Sequence, residues 1–161
     1  GKSSLLRAVS DAHPKVAPYP FTTLNPIIGT LVFEDYSRLT IADVPGLIEG
    51  AHAGVGLGHA FLRHIERARF LVCVIDMAGV DGRKPWEDYV NLHRELRLHK
   101  EALAERPGLV VANKMDIPPA ETNLRRFTEN TGIEPLPVSA LEGGGIPELK
   151  QALRDISNHS R

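Results

Sequence analysis

Four short clusters of polar residues in this 161-residue chain have the types and spacing to handle a nucleotide. Gly1-Lys2-Ser3-Ser4 reads as the last third of the phosphate-binding pattern G-x-x-x-x-G-K-[ST], its first two thirds missing. In that pattern Lys2 places a point charge on the β- and γ-phosphates, and the Ser3 hydroxyl coordinates Mg²⁺. Backbone amides at the start of the following helix add their dipole to anion binding. Asp43-Val44-Pro45-Gly46 supplies a carboxylate and, shortly after it, a glycine. Asp43 suits Mg²⁺ held through its water shell, because that ion dehydrates reluctantly and binds few carboxylates directly. Gly46 leaves room for its amide to reach a γ-phosphate.

The other two clusters have the chemistry of base reading. In Asn113-Lys114-Met115-Asp116, the Asp116 carboxylate accepts hydrogen bonds and donates none, so it can pair with both N1–H and the exocyclic amine of guanine. Adenine offers no such pair of donors on that edge. Asn113 is placed to brace the loop and approach the other edge of the base, while the Lys114 stem packs over the ring. In Ser139-Ala140-Leu141, the Ala140 amide is placed to meet guanine O6. Any one cluster alone reads as a solvated turn. Their shared order along the chain points to a guanine nucleotide with Mg²⁺.

Strands and helices alternate in a way that can position these clusters. A helix is expected from Lys2 to about Ser10, with Leu5, Leu6 and Val9 on one buried face. After a Pro-rich loop, Ile27–Phe33 and Leu39–Ala42 read as a strand pair around the polar turn 34–38. A glycine-rich loop covers 45–58 and a helix 59–68. Phe70–Ile75 is an apolar run of strand length, as for a sheet covered on both faces. One long helix starts near Pro85 with Tyr89, Leu92, Leu96 and Leu103 as its stripe. Leu109–Ala112 is a buried strand, 121–129 a helix and Leu136–Val138 a short strand. Ile146, Leu149, Leu153 and Ile156 mark a closing helix with Pro147 in its first turn. The alternation predicts an α/β fold of the P-loop NTPase type, a mostly parallel sheet with helices on both faces and one antiparallel strand. Each polar cluster then falls at the carboxyl end of a strand, where such sheets bind ligands. The first strand, ahead of Gly1, is expected to be missing.

Composition bounds the rest. The length fits one domain over 1–161, and 42% hydrophobic with 24% charged residues is ordinary for a globular chain. A net charge of −1 gives no general field for polyanions. Cys73 is the single cysteine, read as a buried structural thiol that suits a reducing, cytoplasmic setting (an organelle in a eukaryote). No apolar stretch approaches the ~20 residues that cross a bilayer. The absence of an initiator Met suggests an excerpt of something longer.

Two longer runs carry a resemblance. Tyr19-Pro20-Phe21-Thr22-Thr23-Leu24 followed by Asp43-Val44-Pro45-Gly46-Leu47-Ile48-Glu49-Gly50-Ala51 resembles the Obg family of translational GTPases. So does Gly54-Val55-Gly56-Leu57-Gly58-His59 leading to Phe61-Leu62-Arg63-His64-Ile65-Glu66-Arg67. The resemblance covers essentially the whole chain. It implies that residues 21–25 (Phe21, Thr22, Thr23, Leu24, Asn25) form switch I, with Thr23 a Mg²⁺ ligand beside Ser3 and Asp43. It implies that 43 to about 67 form switch II, and that Lys2, Thr23 and Gly46 stand nearest the chemistry. It further implies GTP hydrolysis coupled to assembly of ribosomes, chiefly the large subunit, with ribosomal RNA among the partners. Members of the family usually carry a glycine-rich amino-terminal domain ahead of the GTPase domain, and what that domain contributes is not carried over to these 161 residues.

Leu47 occupies the place where Ras-like proteins carry a water-orienting glutamine, and the Obg family shares that substitution. Something else must then position the water. His52, His59 and His64 lack the i, i+4 separation of helical zinc sites. Arg63, Arg67 and Arg69 make a small basic face, either solvated or in contact with ribosomal RNA. The reading is a slow, monomeric GTP-hydrolysing switch whose nucleotide orders two segments; the alternative is a guanine-nucleotide sensor with negligible turnover. An ATPase is opposed by Asp116. Without a strand ahead of Gly1, the chain by itself is expected to be marginally folded and to bind GTP poorly.

Overall fold

A computed structural model of the chain describes residues 2–11, 13–16, 26–43 and 65–159, with the backbone alone at Ser3. Gly1, the expected switch I residues Phe21–Asn25 and the segment 44–64, with Val44, Pro45, Gly46 and Leu47, lie outside those residues.

Local sequence explains the amino-terminal half. Helix α1 (Lys2–Val9) buries Leu5, Leu6 and Val9, the stripe its spacing predicts. Strands β2 (Ile27–Val32) and β3 (Arg38–Asp43) pair antiparallel around the turn at 34–37. Leu31 stands directly opposite Leu39 in that register, and both are buried. Such cross-strand apolar pairs fix which face of a sheet turns inward. Gly29 lets α1 approach closely, since a Cβ there would run into Ser10 Oγ and the Leu6 side chain. A two-residue strand β1 (Lys15–Val16) extends the sheet by pairing with Ile27 and Ile28. Its side chains are exposed, so no apolar pattern announces it.

Strands β4 (Leu71–Asp76), β5 (Gly108–Asn113) and β6 (Leu136–Pro137) form a parallel sheet in sequence order. Helices α4 (Pro119–Thr131) and α5 (Ile146–His159) follow β5 and β6, as β/α alternation requires. The expected long helix from Pro85 is two helices, α2 (Pro85–His99) and α3 (Glu101–Glu105). Lys100 between them is fully extended (φ −161°, ψ 119°), which no helix accommodates. Leu103 still reaches the core, buried at 1% exposure. On α5, Leu149 and Leu153 are buried as predicted, but Ser157 rather than Ile156 completes the buried face.

One core cluster joins the two sheets through helices. Leu5 and Val9 of α1, Leu31 and Leu39 of the first sheet, Val111 of the second, Val138 just past β6, and Ile146, Leu149 and Leu153 of α5 are its buried members. Between the sheets runs a trench of about 1140 Å³, lined among others by Leu6, Leu39, Ile41, Val72 and Val74. Among the described residues, β3 pairs with β2 and β4 with β5, and no ladder links β3 to β4. This is why Leu71, Val72, Cys73 and Val74 are half-buried rather than buried, against the expectation for a strand covered on both faces.

Cys73 lines that trench, and burial pushes its thiol up to about 11. The thiolate is the reactive form, so at pH 8 only ~0.1% of the residue is poised to react. We expect alkylation of native Cys73 by iodoacetamide to be slow at pH 8 and to rise about tenfold per pH unit toward 11, followed by intact-mass spectrometry. Complete labelling within minutes at pH 8, equal to that in denaturant, would contradict the assigned environment.

Candidate functional site

The site grows from the carboxyl end of β5. Val111 and Ala112 are fully buried, and Asn113 follows them inward at 3% exposure. A buried amide must find partners. Asn113 Oδ1 accepts from the Ala140 backbone N–H (3.1 Å), and its carbonyl accepts from Met77 N–H (3.1 Å). The neighbouring turn is tied in the same way. Met115 N–H donates to the Val138 carbonyl, and Val138 N–H to that of Ala112.

Asp116 and Ser139 complete the corner. The Ser139 hydroxyl, buried, donates to Asp116 Oδ1 (2.8 Å) and accepts from Glu142 N–H (3.1 Å). One carboxylate oxygen of Asp116 is thereby held in place by a neighbouring strand end. Leu141 beside them is exposed, and Met115 packs against the second core cluster around Phe127. Lys114 has a left-handed backbone (φ 65°), uncommon for a side chain of its length. Its Nζ lies 2.9 Å from Asp76 Oδ2 at the end of β4.

Two residues expected from the sequence to serve the phosphates and their metal meet at the other sheet. Lys2 Nζ lies 3.5 Å from Asp43 Oδ1, which places the start of α1 beside the end of β3. Asp43 is largely enclosed (9% side-chain exposure), Lys2 half-exposed. Ser4 is exposed and its hydroxyl accepts from Arg7 (3.4 Å). Lys2, Asp43 and Asp76 all border the trench. Downstream, the carbonyls of Ile65, Glu66 and Ala68 converge on the Arg106 guanidinium (2.6–3.0 Å). Glu66 also meets His99 at 2.9 Å. The end of the expected switch II segment is therefore anchored to the helices that follow β4.

Asn113, Lys114, Asp116, Ser139 and Ala140, all expected from the sequence, lie together at this corner. Asp76 is not among the expected residues, and its one signal in the sequence is its position closing an apolar strand. The glycines of 143–145 are not among them either, although Gly143-Gly144-Gly145 is an evident turn.

An α/β domain with a lysine-headed helix and a hydrogen-bonded polar corner at parallel strand ends fits the P-loop GTPase class. Solved structures share the fold. The G domain of the T. maritima FeoB iron transporter matches with a TM-score of 0.67 and 18% identity, over 98% of this chain and 91% of that one. The cytosolic domain of the same transporter in its GMPPNP form gives 0.70 at 19% identity, over 100% of this chain and 60% of that one. Residues 1–114 match the family described as "50S ribosome-binding GTPase", and the chain belongs to that family. Among curated relatives it is 55% identical to GTPase Obg of Geobacillus thermodenitrificans over 97% of its length, and 53% identical to GTPase Obg of Akkermansia muciniphila over 97%. It spans 36% and 45% of those two relatives.

Gly145 supports the corner from below. Its φ is +75°, and a Cβ would overlap the Pro137 carbonyl oxygen and crowd Val138. Gly143 is also left-handed (φ +85°) but faces open space. Both Gly→Ala changes carry the left-handed penalty of ~1–2 kcal/mol. Gly145→Ala adds a clash with backbone, so it is expected to lower the melting temperature clearly more than Gly143→Ala, read by calorimetry. Equal effects of the two would show that the close approach at Gly145 is relieved at no cost.

Proposed function

We propose that this chain is the guanine-nucleotide domain of a GTP-hydrolysing switch that acts on the large ribosomal subunit during its assembly. The observation that carries the reading is the corner in which Asp116 is held by Ser139 and Asn113 holds Ala140, on the ends of adjacent parallel strands. Membership of a GTPase family implies GTP and GDP as ligands, and the family's description supports the ribosomal partner. Asp116 Oδ2 is then the oxygen left to face the guanine N1–H and amine, beside an Oδ1 already fixed. The Ala140 amide is engaged by Asn113, so guanine O6 would have to share that donor.

On the phosphate side, Lys2 faces the β- and γ-phosphates at the start of α1, with Gly1, Ser3 and Ser4 as the end of the loop. Gly46 offers its amide, and Phe21, Thr22, Leu24 and Asn25 flank Thr23 in the segment that closes over the nucleotide. Among the described residues no cluster of three or more His, Cys, Asp or Glu exists that could cage a metal. One enclosed carboxylate, Asp43, beside a lysine and a helix start is instead the donor set that Mg²⁺ takes when phosphates and waters fill its shell. Ser3, Thr23 and Asp43 would hold that ion, whose role when bound is to neutralise charge developing on the phosphates. Bound nucleotide orders the two segments and hydrolysis releases them. We place the protein in the cytoplasm as a monomer; among the described residues, no helix is long and apolar enough to cross a membrane. We also infer that the trench between β3 and β4 takes one further strand from chain ahead of Gly1, completing one sheet and the phosphate loop.

Base choice tests the corner. The full-length protein should prefer GTP over ATP by at least ~10³-fold, because a site built for polar partners strongly rejects an analogue lacking them. Asp116→Asn should weaken GTP and favour xanthine nucleotides, since an amide can donate to the carbonyl that replaces the amine. Parental GTP affinity in that variant, measured by fluorescence titration, would remove Asp116 from base recognition.

Rate tests the switch. Leu47 provides no water-orienting amide, so unstimulated turnover should be on the order of 10⁻³ s⁻¹ or slower. Single-turnover hydrolysis should accelerate when large ribosomal subunits are added. No acceleration, with turnover near zero in both arms, would favour the nucleotide-sensor alternative.

A further inference from the structure

We propose that Asp76 is a positioning residue for guanine recognition, acting through Lys114. The inference rests on the reading of 113–116 as the base-reading loop. Asp76 closes β4 directly opposite Asn113, which closes β5. Its two carboxylate oxygens have separate duties. Oδ1 accepts from the Ala78 backbone N–H (2.9 Å), tightening the turn that follows the strand. Oδ2 accepts from Lys114 Nζ (2.9 Å).

The carboxylate is the rigid partner of this pair. The turn it caps is packed into the protein, with Met77 fully buried and Ala78 nearly so. The Met77 carbonyl accepts a further hydrogen bond from Asn123 Nδ2 of α4 (2.8 Å). Met77 N–H reaches across to the Asn113 carbonyl. Arg83, on the stretch that follows, is held in a fork by Asp88. Lys114, by contrast, has a long stem with several rotatable bonds and a left-handed backbone that does not by itself choose a rotamer.

The pair is poorly suited to a purely structural role. Both side chains are 39% exposed, and ion pairs at that exposure add little to folding stability. What the pair does fix is geometry. With Cα set by the loop and Nζ set by Asp76, the four methylenes of Lys114 are held at both ends, next to Asp116. A tethered aliphatic stem is a flat apolar platform for a base ring, formed before the base arrives. Asp76 touches no part of the nucleotide in this scheme; it removes alternatives open to Lys114.

The test is a double-mutant cycle in the full-length protein, read as the dissociation rate of a fluorescent GDP analogue by stopped flow. Asp76→Asn keeps an acceptor for Ala78 N–H and loses the ion pair. It should speed dissociation by about two- to fivefold, the range a half-exposed pair commands. In a Lys114→Met background, which keeps the stem without the amine, the same change should add less than about 1.3-fold, because its target is gone. Asp76→Ser, whose hydroxyl can still cap the turn, is a second variant with the same expectation should the first fail to fold. Equal fold-changes in both backgrounds would overturn the proposal, as would an unchanged rate in Asp76→Asn alone. Parental protein that binds no GDP would instead remove the base-reading assignment, and the role of Asp76 with it.

Discussion

The parallel ladder between β4 and β5 is the constraint on which the rest of the site depends. Its register sets Asp76 opposite Asn113, so both strands end at one level. From that level the chain leaves each strand in a tight turn, and the two turns are tied by the Met77–Asn113 hydrogen bond and the Asp76–Lys114 ion pair. β5 is buried on both faces from Val111 to Asn113, and a slip of one residue would exchange those faces and set Asn113 among different neighbours. It would also move Ala112, fully buried, away from the second core cluster it shares with Ile75 and Phe127. Core packing and site geometry are therefore one requirement at this point.

The corner owes its order to burial. Asn113 and Ser139 are polar groups enclosed by apolar neighbours, and leaving either unpaired would cost on the order of 1–3 kcal/mol. The protein resolves this by pairing each with a group from the facing loop, the Ala140 amide for one and the Asp116 carboxylate for the other. The same bonds fix one oxygen of the Asp116 carboxylate. A loop on the surface would find such order only on binding ligand; here the fold imposes it in advance, which would lower the entropy lost on docking the base proposed for this corner.

The two sheets meet differently. No ladder joins β3 to β4 among the described residues, and the halves are held by side chains of α1 and α5 reaching across the cluster of Leu31, Leu39, Val111 and Val138. Lys2 and Asp43 belong to one half, Asn113 to Asp116 to the other. A nucleotide that touched phosphate-side and base-side residues together would span both halves of the molecule. The anchoring of 65–68 by Arg106 gives the second half a hold on the chain leaving the phosphate side.

Much of this was legible in the residues. Leu5, Leu6 and Val9 at helical spacing, the hairpin of 27–43, the apolar strands and the polar clusters that close them all follow from periodicity, turn chemistry and donor–acceptor inventories, which are local properties. The break at Lys100 was not, because the stripe of Leu96 and Leu103 keeps helical spacing across it and backbone angles leave no mark on composition. Strand β1 was not, because edge pairing through backbone groups needs no apolar side chain. Asp76 was not, because a carboxylate at a strand end gains meaning only from what lies within 3 Å of it, and Lys114 is far off in sequence. Residue types and spacing set out the candidate chemistry and most of the helices and strands. Tertiary structure alone decided which polar groups hold one another, since register and burial are set by contacts between residues that no local pattern connects.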